Sequence, residues 1–135
     1  MKQHDLALEL LRFAQDDLSA ATLLSAYAEA SDAIIGFHCQ QAAEKALKGV
    51  LAELDVDFPR THNLLHLMKL LAENDRTVPS ELDDLRLLNP YAVARRCGEE
   101  VEPGLDRHAA LARATTAIGW AKGQIVEGVN GPSGG

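Results

Sequence analysis

Three groups of residues in this chain of 135 could do chemistry. His62 and His66 stand four apart, a spacing that can bring two imidazoles to one metal ion from a single helix face. Asn63 follows His62 where a zinc hydrolase helix would carry Glu, and no third ligand is evident, so capping and surface hydrogen bonds are the expected roles. The second group is Gln40, Gln41, Glu44, Lys45 and Lys48, polar groups packed densely onto an otherwise apolar helix. Such a set is either a solvated face or a polar surface turned toward a partner or ligand. Glu44 and Lys48 are also an acid–base pair at i,i+4 in the favourable order. The third group is Tyr91, Arg95 and Arg96 in YAVARRCGEE. A guanidinium grips phosphates and carboxylates through paired donors. Adjacent arginines on a helix diverge by about 100°, so only one of the two should point fully into a cleft. The sequence holds no glycine-rich phosphate loop and no serine in a nucleophile-elbow setting, and neither Cys39 nor Cys97 has a partner at metal spacing. Neither a metal nor a cofactor is expected.

These residues must be positioned by helices. Ala and Leu supply 21 residues each, Val, Ile and Thr together only 16, and aromatics only 6. That inventory favours helices and lacks the β-branched runs a sandwich, barrel or parallel sheet needs. Five helical segments are predicted, forming an all-α, compact up-and-down bundle of four to five helices. The first runs from about Asp5 to Ala28, with Leu6, Leu10, Phe13, Ala20, Leu24 and Ala28 on its inward face. The second starts at Ser31 and runs to about Leu54, burying Ile34, Phe37, Ala42, Ala46, Val50 and Leu54, with DVDFP as its stop. The third starts at Thr61, ends near Glu73 and faces Leu64, Leu67, Met68 and Leu71 inward. Ser80 and Asp83 resemble a capping box for a fourth helix carrying Leu82, Leu85 and Leu88. Asn89-Pro90 interrupts it before a short continuation through Arg95. CGEEVEPG reads as a loop. The last helix, from Leu105 or Asp106 to Val126, carries a seam of Leu111, Ala114, Ile118, Ala121 and Ile125. The helical domain is thus expected over residues 1–128, with 129–135 as a flexible tail.

Composition excludes several classes. No stretch approaches the roughly 20 apolar residues of a membrane span, and MKQHDLALEL lacks the layout of a signal peptide. Two cysteines are too few for a disulfide scaffold, and a cytoplasmic protein with free thiols is expected. The net charge of −7 argues against broad, non-specific phosphate binding but leaves room for a small basic site.

FHCQQAAEKALKGVL, then PRTHNLLHLMKLL, then LNPYAVARRCGEE, resemble the HEPN domain of prokaryotes. The resemblance runs from about Asp5 to Val126. It implies a compact helical bundle, commonly a two-fold dimer, in a family many of whose members pair with a minimal nucleotidyltransferase as toxin and antitoxin. Catalytic members are metal-independent RNases bearing an Arg-x(4-6)-His motif whose copies meet at the dimer cleft. In such a motif Arg stabilises the charge developing on the phosphate and His transfers the proton. Arg96 matches the family's arginine, with Arg95 beside it, but Cys97 and Gly98 replace Tyr and Pro. No histidine stands at the required distance; Val101, Glu102 and Pro103 are there instead, and His108 is too far along. Arg60 and His66 satisfy the spacing literally but straddle the start of the third helix, away from the motif position.

The expected function is therefore a HEPN-type module that binds a nucleotidyltransferase-fold partner, a nucleic acid or nucleotide, or both, with little or no catalysis of its own. No catalytic residue is assigned beyond the candidate Arg96. Arg95, Arg96, Tyr91, Gln41, Lys45 and His62 are the expected partner- or phosphate-binding set. The alternatives are an RNase with a displaced histidine (His62, His66 or His108) and a purely structural helical subunit. A homodimer is expected, because an interrupted fourth helix leaves apolar ends for a second subunit to cover.

Overall fold

The computed structural model describes residues 2–92 and 104–127. Every regular element among them is helical: α1 (Lys2–Ser25), α2 (Asp32–Glu53), α3 (Leu64–Glu73), a 3-10 segment (Ser80–Leu88) and α4 (Arg107–Lys122), the last closing in a π turn over Gly123–Glu127. The all-α expectation holds. Arg95, Arg96, residues 97–103 of the expected loop and residues 128–135, which include the expected tail, lie outside the described residues, as does most of the expected continuation after Pro90.

α2 is the central element, buried on most of its circumference. Ser31 caps it, its side chain accepting from the amides of Ala33 and Ile34. The helix ends before Pro59 is reached. Asp55 takes a left-handed φ of 60°, and the Val56 amide returns to the Leu51 carbonyl at 2.9 Å. That six-to-one bond satisfies the terminal carbonyls, so the helix stop is this reversal and not the proline. Asp75, at φ 64°, ends α3 in the same way.

α1 runs antiparallel to α2 and differs most from expectation. Its inward residues are Ala7, Leu11, Ala14 and Ala21, while Leu6 stays 38% and Phe13 40% exposed. The helix is rotated by one residue, about 100°, from the orientation that the bulky side chains suggested. The cause is close approach. A Cβ built on Gly49 of α2 would lie 3.4 Å from the Ala7 carbonyl oxygen and 3.6 Å from Leu10 Cβ. Alanines fit an interface that tight; a row of leucines and a phenylalanine does not. In α2 the expected Ile34, Phe37 and Leu54 are likewise only partly buried, and Ile35, Cys39, Leu47 and Leu51 take their places.

The 80–88 segment was expected to be an α-helix opened by a Ser80–Asp83 capping box. It is a 3-10 helix behind Pro79, with no side-chain cap bond. Leu82, Leu85 and Leu88 are all fully buried. Their strict spacing of three explains the geometry: with three residues per turn, all three side chains line up on one edge. The apolar edge of this interrupted element is therefore covered within the chain. α4 carries its expected seam: Ala114, Ile118, Ala121 and Ile125 are buried, with Leu111 partly so.

Arg107, in the first turn of α4, ties the ends of the bundle together. Its Nε donates to Asp32 Oδ1 at 2.8 Å, and its two terminal nitrogens donate to the carbonyls of Ser25, Tyr27, Ala28 and Ala30, the shortest at 2.6 Å. One planar guanidinium thus collects four carbonyls of the α1–α2 turn. Arg107→Ala is expected to cost about 2 kcal/mol, the scale of a charged hydrogen-bond group that water partly replaces. Arg107→Lys should recover less than half, because an ammonium lacks the fork. Urea unfolding measures both; a lysine variant as stable as wild type contradicts the clamp.

Candidate functional site

The polar residues of α2 do not form an outer face. Gln40 is fully buried and Glu44 is 4% exposed. Both lie toward the segment leading into α3, and the network between them is closed. Lys48 Nζ donates to Glu44 Oε2 at 2.9 Å and Gln40 Nε2 to Glu44 Oε1 at 3.1 Å. Gln40 Nε2 also reaches the His62 carbonyl at 2.8 Å, while Gln41 Nε2 donates to Gln40 Oε1 at 2.7 Å. His62 Nδ1 stands 2.8 Å from Glu44 Oε1.

Glu44 is the hub. Burial by itself would push its carboxyl pKa up. Hydrogen bonds from Lys48, His62 and Gln40, with the Lys48 charge, outweigh that and hold it below the ordinary 4.5. An ionised carboxylate only accepts, so His62 Nδ1 is the donor and Nε2 lies on the opposite edge of the ring. The His62 side chain is 56% exposed. Its backbone is held by Gln40 and its ring by Glu44, which leaves an oriented imidazole at the surface. Carboxylate-oriented imidazoles serve proton transfer and anion recognition.

His62 precedes α3 rather than sitting on it: Asn63 is the cap, its side chain accepting from the Leu65 amide. The i,i+4 geometry with His66 on one helix is therefore not formed, and among the described residues no three metal-ligating side chains cluster. Lys45 is on the other flank of α2, its Nζ 2.6 Å from Asp17 Oδ2 of α1. His38 Nδ1 meets the other oxygen of Asp17 at 2.9 Å. Lys45 thus belongs with α1, whereas Gln41 and His62 belong to the Glu44 network.

Tyr91 is buried, with its ring against Gly36 of α2. Asn89 Oδ1 accepts from the Leu64 amide at 2.9 Å, and Asn89 Nδ2 donates to Asn63 Oδ1 at 3.2 Å. The segment that leads toward Arg95 and Arg96 is consequently anchored at the start of α3 and on α2, the elements that hold His62. Sequence reading missed this anchoring role of Asn89 and the hub role of Glu44. The Glu44–Lys48 spacing was a signal for half of the hub. Nothing local links either residue to the 61–64 stretch. Cys39 is a free, buried thiol whose pKa burial raises to about 12, so it is chemically inert in the folded chain.

A family model described as HEPN domain matches residues 7–124. No curated protein and no solved structure matches the chain.

Proposed function

Since the chain belongs to the HEPN-domain family, we propose that it works as a HEPN module that binds rather than cleaves. Its occupant is a nucleotidyltransferase-fold partner, a nucleic acid, or both, as in a toxin–antitoxin pair. In this reading Arg96 grips a phosphate or a partner carboxylate, with Arg95, Tyr91, Gln41 and His62 around it. One observation carries the reading: the polar side chains that α2 contributes already have partners within α2 or on the elements beside it. Lys48 and Gln40 are spent on Glu44, and Lys45 on Asp17. They form a fixed frame rather than a free acid–base set. The sequence adds that no histidine follows Arg96 at the family's distance.

The test is RNA binding by fluorescence anisotropy and RNA cleavage in chelator, with wild type and Arg96→Ala. The expected result is binding weakened about tenfold or more in the variant, the loss of one paired phosphate contact, and no cleavage by either protein. Robust metal-independent cleavage by wild type, lost in Arg96→Ala, overturns it.

A second reading, an RNase with a displaced histidine, draws on the oriented ring of His62. There Nε2 of His62 exchanges the proton of a 2′-hydroxyl while Arg96 meets the phosphate. It requires cleavage that His62→Gln abolishes and His108→Gln leaves intact.

A further inference from the structure

The Glu44 network is polarised, and its polarity fixes which atoms it turns outward. An ionised carboxylate and a backbone carbonyl only accept. Gln40 Nε2 lies on one of each, Glu44 Oε1 at 3.1 Å and the His62 carbonyl at 2.8 Å, so the Gln40 amide has one possible orientation. Its Oε1 therefore faces Gln41, which must bring its own nitrogen there, at 2.7 Å. The same Gln41 nitrogen stands 3.4 Å from Glu44 Oε1. Gln41 Oε1 is left over. Among the described residues nothing donates to it and no side-chain oxygen is buried without a partner, so it meets solvent. His62 repeats the pattern: Nδ1 donates to Glu44 at 2.8 Å, and Nε2 stands on the opposite edge of an exposed ring. A neutral imidazole that donates through Nδ1 accepts through Nε2. Both side chains meet the same carboxylate oxygen, so they lie within about 6 Å of each other.

We infer that Gln41 Oε1 and His62 Nε2 form an acceptor pair that takes the guanidinium of an arginine from a polypeptide partner. Two neighbouring acceptors need a ligand with two donors, which a guanidinium carries in one plane. A phosphate or a carboxylate brings only acceptors and finds no donor at this pair. Charge selects among the donors. Lys48 neutralises Glu44, so the field over the pair is that of the whole chain, −7, which attracts a cation and repels a nucleic acid. An ammonium is a point donor and matches two acceptors less well. The frame behind the pair is fixed by the fully buried Gln40, which lowers the ordering cost of binding. The inference rests on the binding role proposed above for its biological occupant, whereas the acceptor pair follows from the network alone. To the anion-seeking Arg96 of that role it adds a site that seeks a cation.

Nitrogen-15 NMR at pH 8 tests both the premise and the site. In wild type the His62 ring should carry its proton on Nδ1, with Nε2 at the downfield shift of an unprotonated nitrogen. The opposite tautomer overturns the inference without any variant. The probes are blocked glycyl-arginyl-glycine, its lysine and glutamine analogues, and adenosine monophosphate. The arginine peptide should move the His62 Nε2 and Gln41 side-chain resonances saturably and bind about fivefold or more tightly than the lysine peptide. Gln41→Met keeps the side-chain length and removes the acceptor. It should weaken the arginine peptide about tenfold, the loss of one hydrogen bond to a charged group. Should that variant unfold because Gln40 Oε1 loses its donor, the comparison of peptides on wild type decides. An arginine peptide that binds no better than the lysine or glutamine peptide overturns the inference, as does adenosine monophosphate moving the same two resonances in its place. Anisotropy with Arg96→Ala tests the binding role itself and reads neither the tautomer nor the peptides, so the two failures are told apart.

Discussion

Glu44→Ala is expected to lower the unfolding free energy by about 3 kcal/mol, a large share of what a small domain has. The carboxylate is buried and accepts from Lys48, Gln40 and His62. Removing it strands a lysine whose side chain is only 13% exposed, costs the buried Gln40 amide one of its two bonds, and weakens the tie between α2 and the approach to α3. Glu44→Gln separates charge from shape. The folded carboxyl has its pKa held below 4.5, its ordinary value, so the unfolded chain binds the proton more readily. The stabilisation is therefore fully present above the unfolded value and is lost as pH falls through the folded one. Urea unfolding of wild type and Glu44→Gln should differ clearly at pH 7 and converge as pH falls below 4.5 and through the folded carboxyl's lowered pKa. A gap that stays constant across that range means that the ionised form contributes nothing to stability.

Gly36→Ala should destabilise the protein by about 1–3 kcal/mol, although alanine is the better helix former by about 1 kcal/mol. A Cβ at Gly36 would lie 2.3–2.8 Å from three ring atoms of Tyr91. An aromatic ring cannot fold aside as a flexible side chain can, so the ring and the segment that carries it must move. Tyr91→Ala removes the obstacle. In the double variant the alanine at position 36 should recover its helix-forming advantage, and the double-mutant cycle should show a coupling above about 1 kcal/mol. Gly119 of α4, exposed and with open space around it, is the control: Gly119→Ala should stabilise by about 1 kcal/mol. Thermal unfolding gives the sign at both positions. A Gly36→Ala variant more stable than wild type means that Tyr91 does not hold the place described.

Much of this was legible in the residues. The alanine and leucine content, Ser31 at the start of α2 and the 64/67/71 leucines named the helices and their approximate ends. The motif run from FHCQQAAEKALK to THNLL indicated the family, and the match over residues 7–124 bears that out. The candidate site was only partly legible. Glu44 and Lys48 meet within one helix turn, so their spacing sufficed. Glu44 and His62 are 18 residues apart, and Tyr91 meets Gly36 across 55 positions. No local rule links such pairs.

The sequence by itself determined the helical class, the positions of its elements and the set of polar residues from which a site can be built. The tertiary structure decided which side of each helix faces inward. In α1 two adjacent stripes are both apolar, 6/10/13/20/24 and 7/11/14/18/21, and periodicity cannot choose between them. The choice fell to the smaller side chains, because α1 packs against Gly49 on an α2 that is itself rich in alanine, where only alanines allow the close approach that fills the space. The same rule turned Glu44 inward: α2 is covered on several sides at once, so a residue that an isolated helix would leave in water is buried and must find its partners within the protein.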